Sequence, residues 1–166
     1  MKFCRIDRVK QTGDFMNEFI NKYQDFLSVF NTGKTMVLSS CMDNKVSSRM
    51  MSIVCIDGLF YFQTDMNFRK YSELIHNPQV ALCIDNIQIE GVCKEIGHPM
   101  SNEKFCSEYE KNFNTSFKMY SSLKNERLFE VSPTFVERWL YIDGVPFIEI
   151  FDVEHQVYKL TKYESE

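Results

Sequence analysis

The chain carries few of the patterns by which chemistry announces itself. It contains no G-x-G-x-x-G, G-x-x-x-x-G-K-[ST] or G-x-S-x-G, which leaves out the dinucleotide loop, the P-loop and the nucleophile elbow. Its cysteines (Cys4, Cys41, Cys55, Cys83, Cys93 and Cys106) never come within four residues of one another, so no pair offers a zinc ribbon. His76, His98 and His155 are equally scattered, and no metal is expected. Basic residues are not in excess: 19 Lys and Arg against 23 Asp and Glu give a net charge of −4, which argues against a nucleic-acid surface. No apolar run is long enough to cross a bilayer, and the opening Met1-Lys2-Phe3-Cys4-Arg5 turns charged at once. Neither a membrane span nor a signal peptide is therefore expected. The reading is a soluble, cytoplasmic protein with reduced cysteines, Cys55, Cys83 and Cys93 serving as small hydrophobes in apolar runs.

What is present is a chain of 166 residues, 44% hydrophobic and 14% aromatic, enough for one core and a single domain over 1–166. Apolar residues recur at helical spacing at Phe15, Phe19, Tyr23, Phe26, Leu27 and Phe30. They predict a helix over 14–30 lidding a sheet, capped by Thr12 or Asp14 and ended by Asn31-Thr32-Gly33. Strand signals follow at Thr35–Cys41, Val46–Ile56 and Leu59–Thr64, with turns at Asp43-Asn44-Lys45 and Asp57-Gly58. Phe68–His76 returns to helical character, and Asn77-Pro78 stops it. Gln79–Ile84 and Ile87–Ile96 make another strand pair, in which Gly91 marks a bulge or a close backbone approach.

Ser101 is placed to cap a helix over 102–113, within a helical insertion spanning about 101–123. Strand patterns resume at Leu128–Val131 and Phe135–Ile142. After Asp143-Gly144 come Val145–Val153, interrupted by Pro146, and an edge piece at Val157–Leu160 before a charged, frayed tail. Tight turns join most strands, which disfavours a doubly wound sheet. The pattern predicts a mainly β (α+β) fold: a closed or nearly closed antiparallel barrel of about six strands, over 35–96 and 127–160, with peripheral helices.

Within this plan the stretch from Ser47 to Pro78 gathers three cations. On a strand, Arg49 shares a face with Ser47, Met51, Ile53 and Cys55. An arginine aligned with apolar residues needs a partner. Water at a strand end, a carboxylate such as Asp57 or Glu73, and a ligand anion all qualify. Arg69 and Lys70 open a helix, where cations oppose the macrodipole while a bound anion satisfies both the dipole and the free N–H groups. Thr64 and Gln63 lie just before that turn and bring a hydroxyl and an amide. Arginine's planar fork suits a phosphate. The set points to an anion site at the edge of an apolar wall.

The ordered pieces Arg49-Met50-Met51-Ser52, Phe62-Gln63-Thr64, Arg69-Lys70 and Asn77-Pro78-Gln79-Val80-Ala81-Leu82 resemble the pyridoxamine 5′-phosphate oxidase-like family of FMN-binding split barrels, over about Thr35 to Ile96. The resemblance implies an antiparallel Greek-key split barrel, FMN as cofactor, and a homodimer with FMN at its interface. It places Arg49, Thr64, Arg69 and Lys70 on the phosphate and ribityl end, with Gln63 beside them. The backbone of Met50, Met51 and Ser52 would line the isoalloxazine, Gln88 would approach it across the dimer interface, and Trp139 would lie near it. An open face of Met50, Phe62 and Trp139 would take a flat apolar or nicotinamide-like substrate.

The departures from that family are equally informative. Members that oxidise pyridoxine phosphate carry a lysine where this chain has Val54, and an Arg-x-His clasp that Tyr141–Glu149 lacks. Phe68 stands where a serine is common. The cofactor half is kept and the vitamin-B6 half is missing. The implied function is an FMN-binding flavoprotein, an oxidoreductase of undefined substrate with a donor such as NAD(P)H; its catalytic residues are not specified. The alternatives are a non-catalytic flavin sensor or carrier, a true pyridoxamine-phosphate oxidase, and a split barrel for haem with His76 or His98 as suspects.

Overall fold

The computed structural model describes residues 6–164, with side chains from residue 16 onward. Helix α1 (Ile6–Leu27) runs into a short 3₁₀ turn at Ser28–Phe30. Strands β1 (Lys34–Met42), β2 (Lys45–Ile56) and β3 (Leu59–Asp65) follow, then α2 (Arg69–His76), β4 (Gln79–Ile84) and β5 (Ile87–Glu95). A 3₁₀ turn at Pro99–Ser101, α3 (Glu103–Asn112) and α4 (Asn114–Tyr120) lead into β6 (Glu126–Ile142), β7 (Val145–Asp152) and β8 (Val157–Lys162). All strand pairs are antiparallel, in the order β3-β2-β1-β4-β5-β6-β7-β8, and β3 also pairs with β6. That last pairing closes six strands into a barrel, with β7 and β8 continuing the sheet beyond it.

The hairpins form where the turns demand it. Asp57 and Gly58 (φ 53° and 82°) and Asp143 and Gly144 (φ 51° and 78°) adopt the left-handed pair that matches strand twist. Alternation then sorts side chains: Met36, Leu38, Ile53, Phe60, Phe62, Leu82, Ile89 and Phe129 fill the barrel. α1 lays its aromatic stripe on this core. Phe26 packs 5.4 Å from Phe151 and Phe30 5.0 Å edge-on to Phe60, as ring centroids. The lidding helix predicted from spacing is thus present. Its described part, Ile6–Leu27, runs straight through Thr12 and Asp14, however, so neither caps it. The Phe15 side chain and Cys4 lie outside the described residues.

Several boundaries differ from the sequence expectation for physical reasons. The two strands expected on either side of Pro133 are one 17-residue strand, β6. Its neighbour on one edge changes from β3, which ends at Val131, to β7, which begins at Phe135. Pro133 sits in that gap, where its missing N–H breaks no ladder. On the other edge Gly91 faces Pro133 at a register shift, and a Cβ on Gly91 would lie 2.7 Å from the Ser132 carbonyl oxygen. The close backbone approach read from Gly91 is therefore real. Pro146 does not interrupt β7: it sits one residue from its start, and its carbonyl accepts from Tyr163 N–H.

The cap of α3 is Asn102, whose side chain accepts from Phe105 N–H at 2.9 Å, while Ser101 closes the preceding 3₁₀ turn. Cys93 is buried, but Cys83 points outward, because it occupies the opposite phase of β4 from Leu82. No helix among the described residues is long and apolar enough to cross a membrane.

Candidate functional site

One irregularity of the barrel creates the site. β2 and β3 pair only at Val54–Tyr61, Cys55–Phe60 and Ile56–Leu59, next to their tight turn. Beyond those pairs the strands part, leaving two facing backbone edges with no partner strand. A cavity of about 410 Å³ opens in the gap, within the usual size range of small-molecule sites. Met50, Met51 and Ser52 of β2 line one side, and Gln63, Thr64 and Asp65 of β3 line the other. Phe68 and Lys70 enter from the start of α2, and Glu126 opens β6 at the polar end.

The α3–α4 insertion supplies the remaining wall, through Tyr109, Ser116, Tyr120 and Leu123. α3 is anchored by a small core of its own, where Phe105 and Tyr109 pack with Val54, Tyr61 and Leu128. Val54, which stands where the sequence comparison expects a lysine, is therefore a packing residue under this insertion. Ser121 donates to Gln63 Oε1 at 2.8 Å and ties the end of the insertion to β3.

The polar end holds groups under tension. Thr64 Oγ1 is buried and has no hydrogen-bond partner among the described residues, a costly state for a hydroxyl. Lys70 places its ammonium 4.9 Å from the Phe68 ring centroid. Burial, and then the nearby positive charge of Arg49, hold Lys70 below the usual lysine range. Glu126 lies directly opposite Asp65 across the β3–β6 ladder, a like-charge pairing that costs stability. Burial first, and Asp65 second, push the Glu126 carboxyl up to about 7, against the pull of Lys70. Asp65 itself accepts from Asn67 N–H at 2.7 Å.

The other two cations are engaged elsewhere. Glu73 of α2 is buried at the end of the barrel and holds both arginines. Its Oε1 accepts from Ser47 Oγ at 2.9 Å and pairs with Arg69 Nε at 3.0 Å. Its Oε2 accepts from Ser40 Oγ at 2.7 Å and from Arg49. Burial pushes the Glu73 carboxyl up, but the bonds from Ser40, Ser47 and Arg49 outweigh it and the net shift is downward. Of the partners open to Arg49 in the sequence, Glu73 is the one it finds; Asp57 pairs with Lys104 at 2.8 Å.

The structure thus brings Met50, Met51, Ser52, Gln63, Thr64 and Lys70 together, and sets Arg49 and Arg69 behind them on Glu73. Gln88 lies exposed on β5 beside Glu90, and Trp139 packs against Tyr141 and Tyr163 on β6, both away from this cavity. Phe62 is not on an open face: it is fully buried, stacked on Phe129 inside the barrel. Asp65, Tyr109, Ser116, Tyr120, Leu123 and Glu126 were not legible in the sequence as site residues. Phe68 stood out only as an unusual residue. A slot with partly apolar walls, an ammonium, several hydroxyls, two carboxylates at its polar end and two unpaired backbone edges can hold a flat ring and a polar tail.

The family model described as pyridoxamine 5′-phosphate oxidase matches residues 21–140. No curated protein matches the chain. Among solved structures, general stress protein 26 from Bacillus anthracis str. Sterne is 19% identical, with 85% of this chain and 98% of that chain covered at a TM-score of 0.56. PhzG from Burkholderia lata 383, in complex with tetrahydrophenazine-1-carboxylic acid, is 14% identical, with 89% and 91% covered at a TM-score of 0.56. A pyridoxamine 5′-phosphate oxidase-related, FMN binding protein from Nostoc punctiforme PCC 73102 is 11% identical, with 90% and 95% covered at a TM-score of 0.52. Identities this low speak to the fold alone, and the six-stranded closure with its parted β2 and β3 is that fold. With the family match spanning most of the barrel and the whole cavity, the chain belongs to the pyridoxamine 5′-phosphate oxidase family of split β-barrels.

Proposed function

We propose that the split between β2 and β3 binds flavin mononucleotide, and that the chain is an FMN-dependent oxidoreductase whose substrate is not vitamin B6. The observation that carries this reading is the buried Thr64 hydroxyl, without a hydrogen-bond partner among the described residues, in a slot that Lys70 also enters. A phosphate or ribityl oxygen there would complete the hydrogen bonding of Thr64 and the charge of Lys70. Met50, Met51, Tyr109 and Tyr120 supply flat apolar wall for a ring, and the unpaired edge of β2 offers backbone groups to its polar rim. Bound there, the flavin would supply the electron transfer. The protein's part is to orient the ring, exclude water through the α3–α4 wall, and hold a proton on Glu126 near neutral pH.

A homodimer belongs to the same proposal. The outer face of β2, β1, β4 and β5 carries exposed residues including Val46 (73% exposed), Met50 (60%), Cys83 and Gln88. A second copy seated on this face would cover apolar surface at the mouth of the slot, and it is the route by which Gln88 and Trp139 could approach a flavin. Light scattering should give twice the chain mass; a monomer at micromolar concentration would count against it.

The first test is direct. Purified protein titrated with FMN should acquire the visible flavin bands with their shape altered by an apolar site; an unperturbed free-flavin spectrum would sink the reading. Lys70→Ala is expected to weaken FMN about tenfold, the weight of one charge-assisted hydrogen bond, while leaving riboflavin nearly unaffected. Arg69→Ala is expected to change FMN affinity far less, because Arg69 is paired with Glu73. Addition of NADH or NADPH to the loaded protein should bleach the flavin; a loaded protein that neither donor reduces would favour a carrier.

A further inference from the structure

The cation-rich end of α2 is already an occupied anion site. Two guanidinium groups and two hydroxyls converge on one carboxylate: Ser40, Ser47 and Arg49 donate hydrogen bonds to Glu73, and Arg69 adds an ion pair while donating to Ser47 Oγ at 3.2 Å. Little of the carboxylate's acceptor capacity is left over. The same donor set would bind a phosphate. The cradle also adjoins the flavin slot: Arg49 precedes Met50, Arg69 precedes Lys70, and the Arg49 charge is felt at Lys70. Arg69 remains largely exposed, with its side chain 76% accessible, so the cradle is open to solvent on that side.

We propose that Glu73 is a built-in stand-in for a ligand's phosphate, filling the Ser40–Ser47–Arg49–Arg69 cradle and thereby setting how strongly the chain prefers a phosphorylated flavin to an unphosphorylated one. A dianion arriving beside Glu73 meets like charge and finds both arginines already paired to it, with half of their combined charge offset, so Lys70 and Thr64 carry most of its recognition. Glu73 is held in place by burial on α2 and by its contacts with Ser40, Ser47, Arg49 and Arg69. Replacing it with glutamine keeps the volume, removes the charge and releases the arginines. The consequence in the native protein is modest discrimination between FMN and riboflavin, and a phosphorylated flavin that exchanges readily.

The flavin arm of the test rests on the FMN reading above. FMN and riboflavin are titrated separately into wild type and Glu73→Gln, with near-ultraviolet circular dichroism reporting the fold. Wild type is expected to prefer FMN by less than about a hundredfold, and Glu73→Gln by at least about ten times more, the gain falling on FMN alone. A preference unchanged or reduced in a folded Glu73→Gln variant overturns the proposal. If that variant does not fold, wild type decides: a preference above about a thousandfold would mean the phosphate has a full clamp despite Glu73 and overturns it, while a smaller one supports it.

Should neither protein bind either flavin, the FMN reading fails, and inorganic phosphate tests Glu73 independently. Phosphate should then raise the melting temperature of Glu73→Gln but not of wild type, and adding Arg69→Ala should abolish the gain. Equal response of the two proteins to phosphate, or none in Glu73→Gln, overturns the proposal.

Discussion

Phe129→Ala is expected to lower the stability of the protein by about 3–5 kcal/mol, the usual cost of emptying a large buried aromatic site. Phe129 is fully buried on β6 and faces Phe62 directly across the pairing that closes the barrel. The two rings stack with centroids 5.5 Å apart, and Tyr71 of α2 meets Phe129 edge-on at 5.9 Å. Three elements therefore share one side chain, and none of them can collapse into the void without opening the β3–β6 closure. For a chain of this size the loss corresponds to a fall in melting temperature of about 6–20 °C. Because Tyr71 follows Lys70 on α2, the same substitution should also weaken binding in the slot. Phe129→Leu, which keeps most of the volume, should lose much less of both. A Phe129→Ala protein that melts within two or three degrees of wild type (~1 kcal/mol) would mean that the closure does not depend on this contact.

Glu126→Gln is expected to raise stability at pH 8 by on the order of 2 kcal/mol while changing it little at pH 4. The sign follows from the direction of the shift. The Glu126 carboxyl stands at about 7 in the folded chain against an ordinary 4.5. Below 4.5 it is protonated in both states and costs nothing. Between 4.5 and 7 the unfolded chain releases the proton while the folded chain retains it, so stability falls as pH rises. Above 7 both states are ionised and the penalty is constant. Glutamine cannot ionise, so the difference between variant and wild type should open across that window and then level off. Titrating groups remote from Glu126 cancel in the difference, which therefore reports Glu126 with its neighbours Asp65 and Lys70. Parallel stability curves for the two proteins between pH 4 and pH 8 would show that Glu126 titrates normally.

Asp65 and Glu126 face one another at the polar end of the slot that Lys70 also enters, and a strongly shifted group in a cleft is a functional-site candidate. A proton held on Glu126 near neutral pH also reduces the negative charge that an incoming anion meets. The FMN proposal therefore gains a second handle, since FMN affinity should decline between pH 6 and pH 8 in wild type and less so in Glu126→Gln.

Local pattern carried the sequence a long way. Period-two alternation, the Asp-Gly turns and the aromatic stripe of α1 are short-range signals, and each is read from neighbours in the chain. They determined the mainly β barrel, the place of α2 between β3 and β4, the close approach at Gly91, and the importance of the segment from Ser47 to Pro78. The segments that misled were those whose environment is set at long range. The strand patterns at Leu128–Val131 and Phe135–Ile142 are one strand across Pro133, because a proline's cost depends on whether its edge of the strand has a partner, and that is decided by where β3 stops and β7 begins.

The site divides along the same line. That Gln63, Thr64 and Lys70 belong together was legible, because a strand and the helix after it place them near one another, and the family resemblance added Met50–Ser52. The fate of Arg49 and Arg69 was not, since an arginine's role depends on which carboxylate the fold delivers to it, and Glu73 reaches both only when α2 packs on the barrel end. Asp65 against Glu126 joins residues 61 positions apart, and the Tyr109–Leu123 wall comes from an insertion that the sequence marks only as helical. The sequence by itself determined a split-barrel chain with an anion-friendly hairpin. Only the tertiary structure decided which of its charges are free to meet a ligand, because a charge is defined by its nearest partners and those partners are brought from distant parts of the chain.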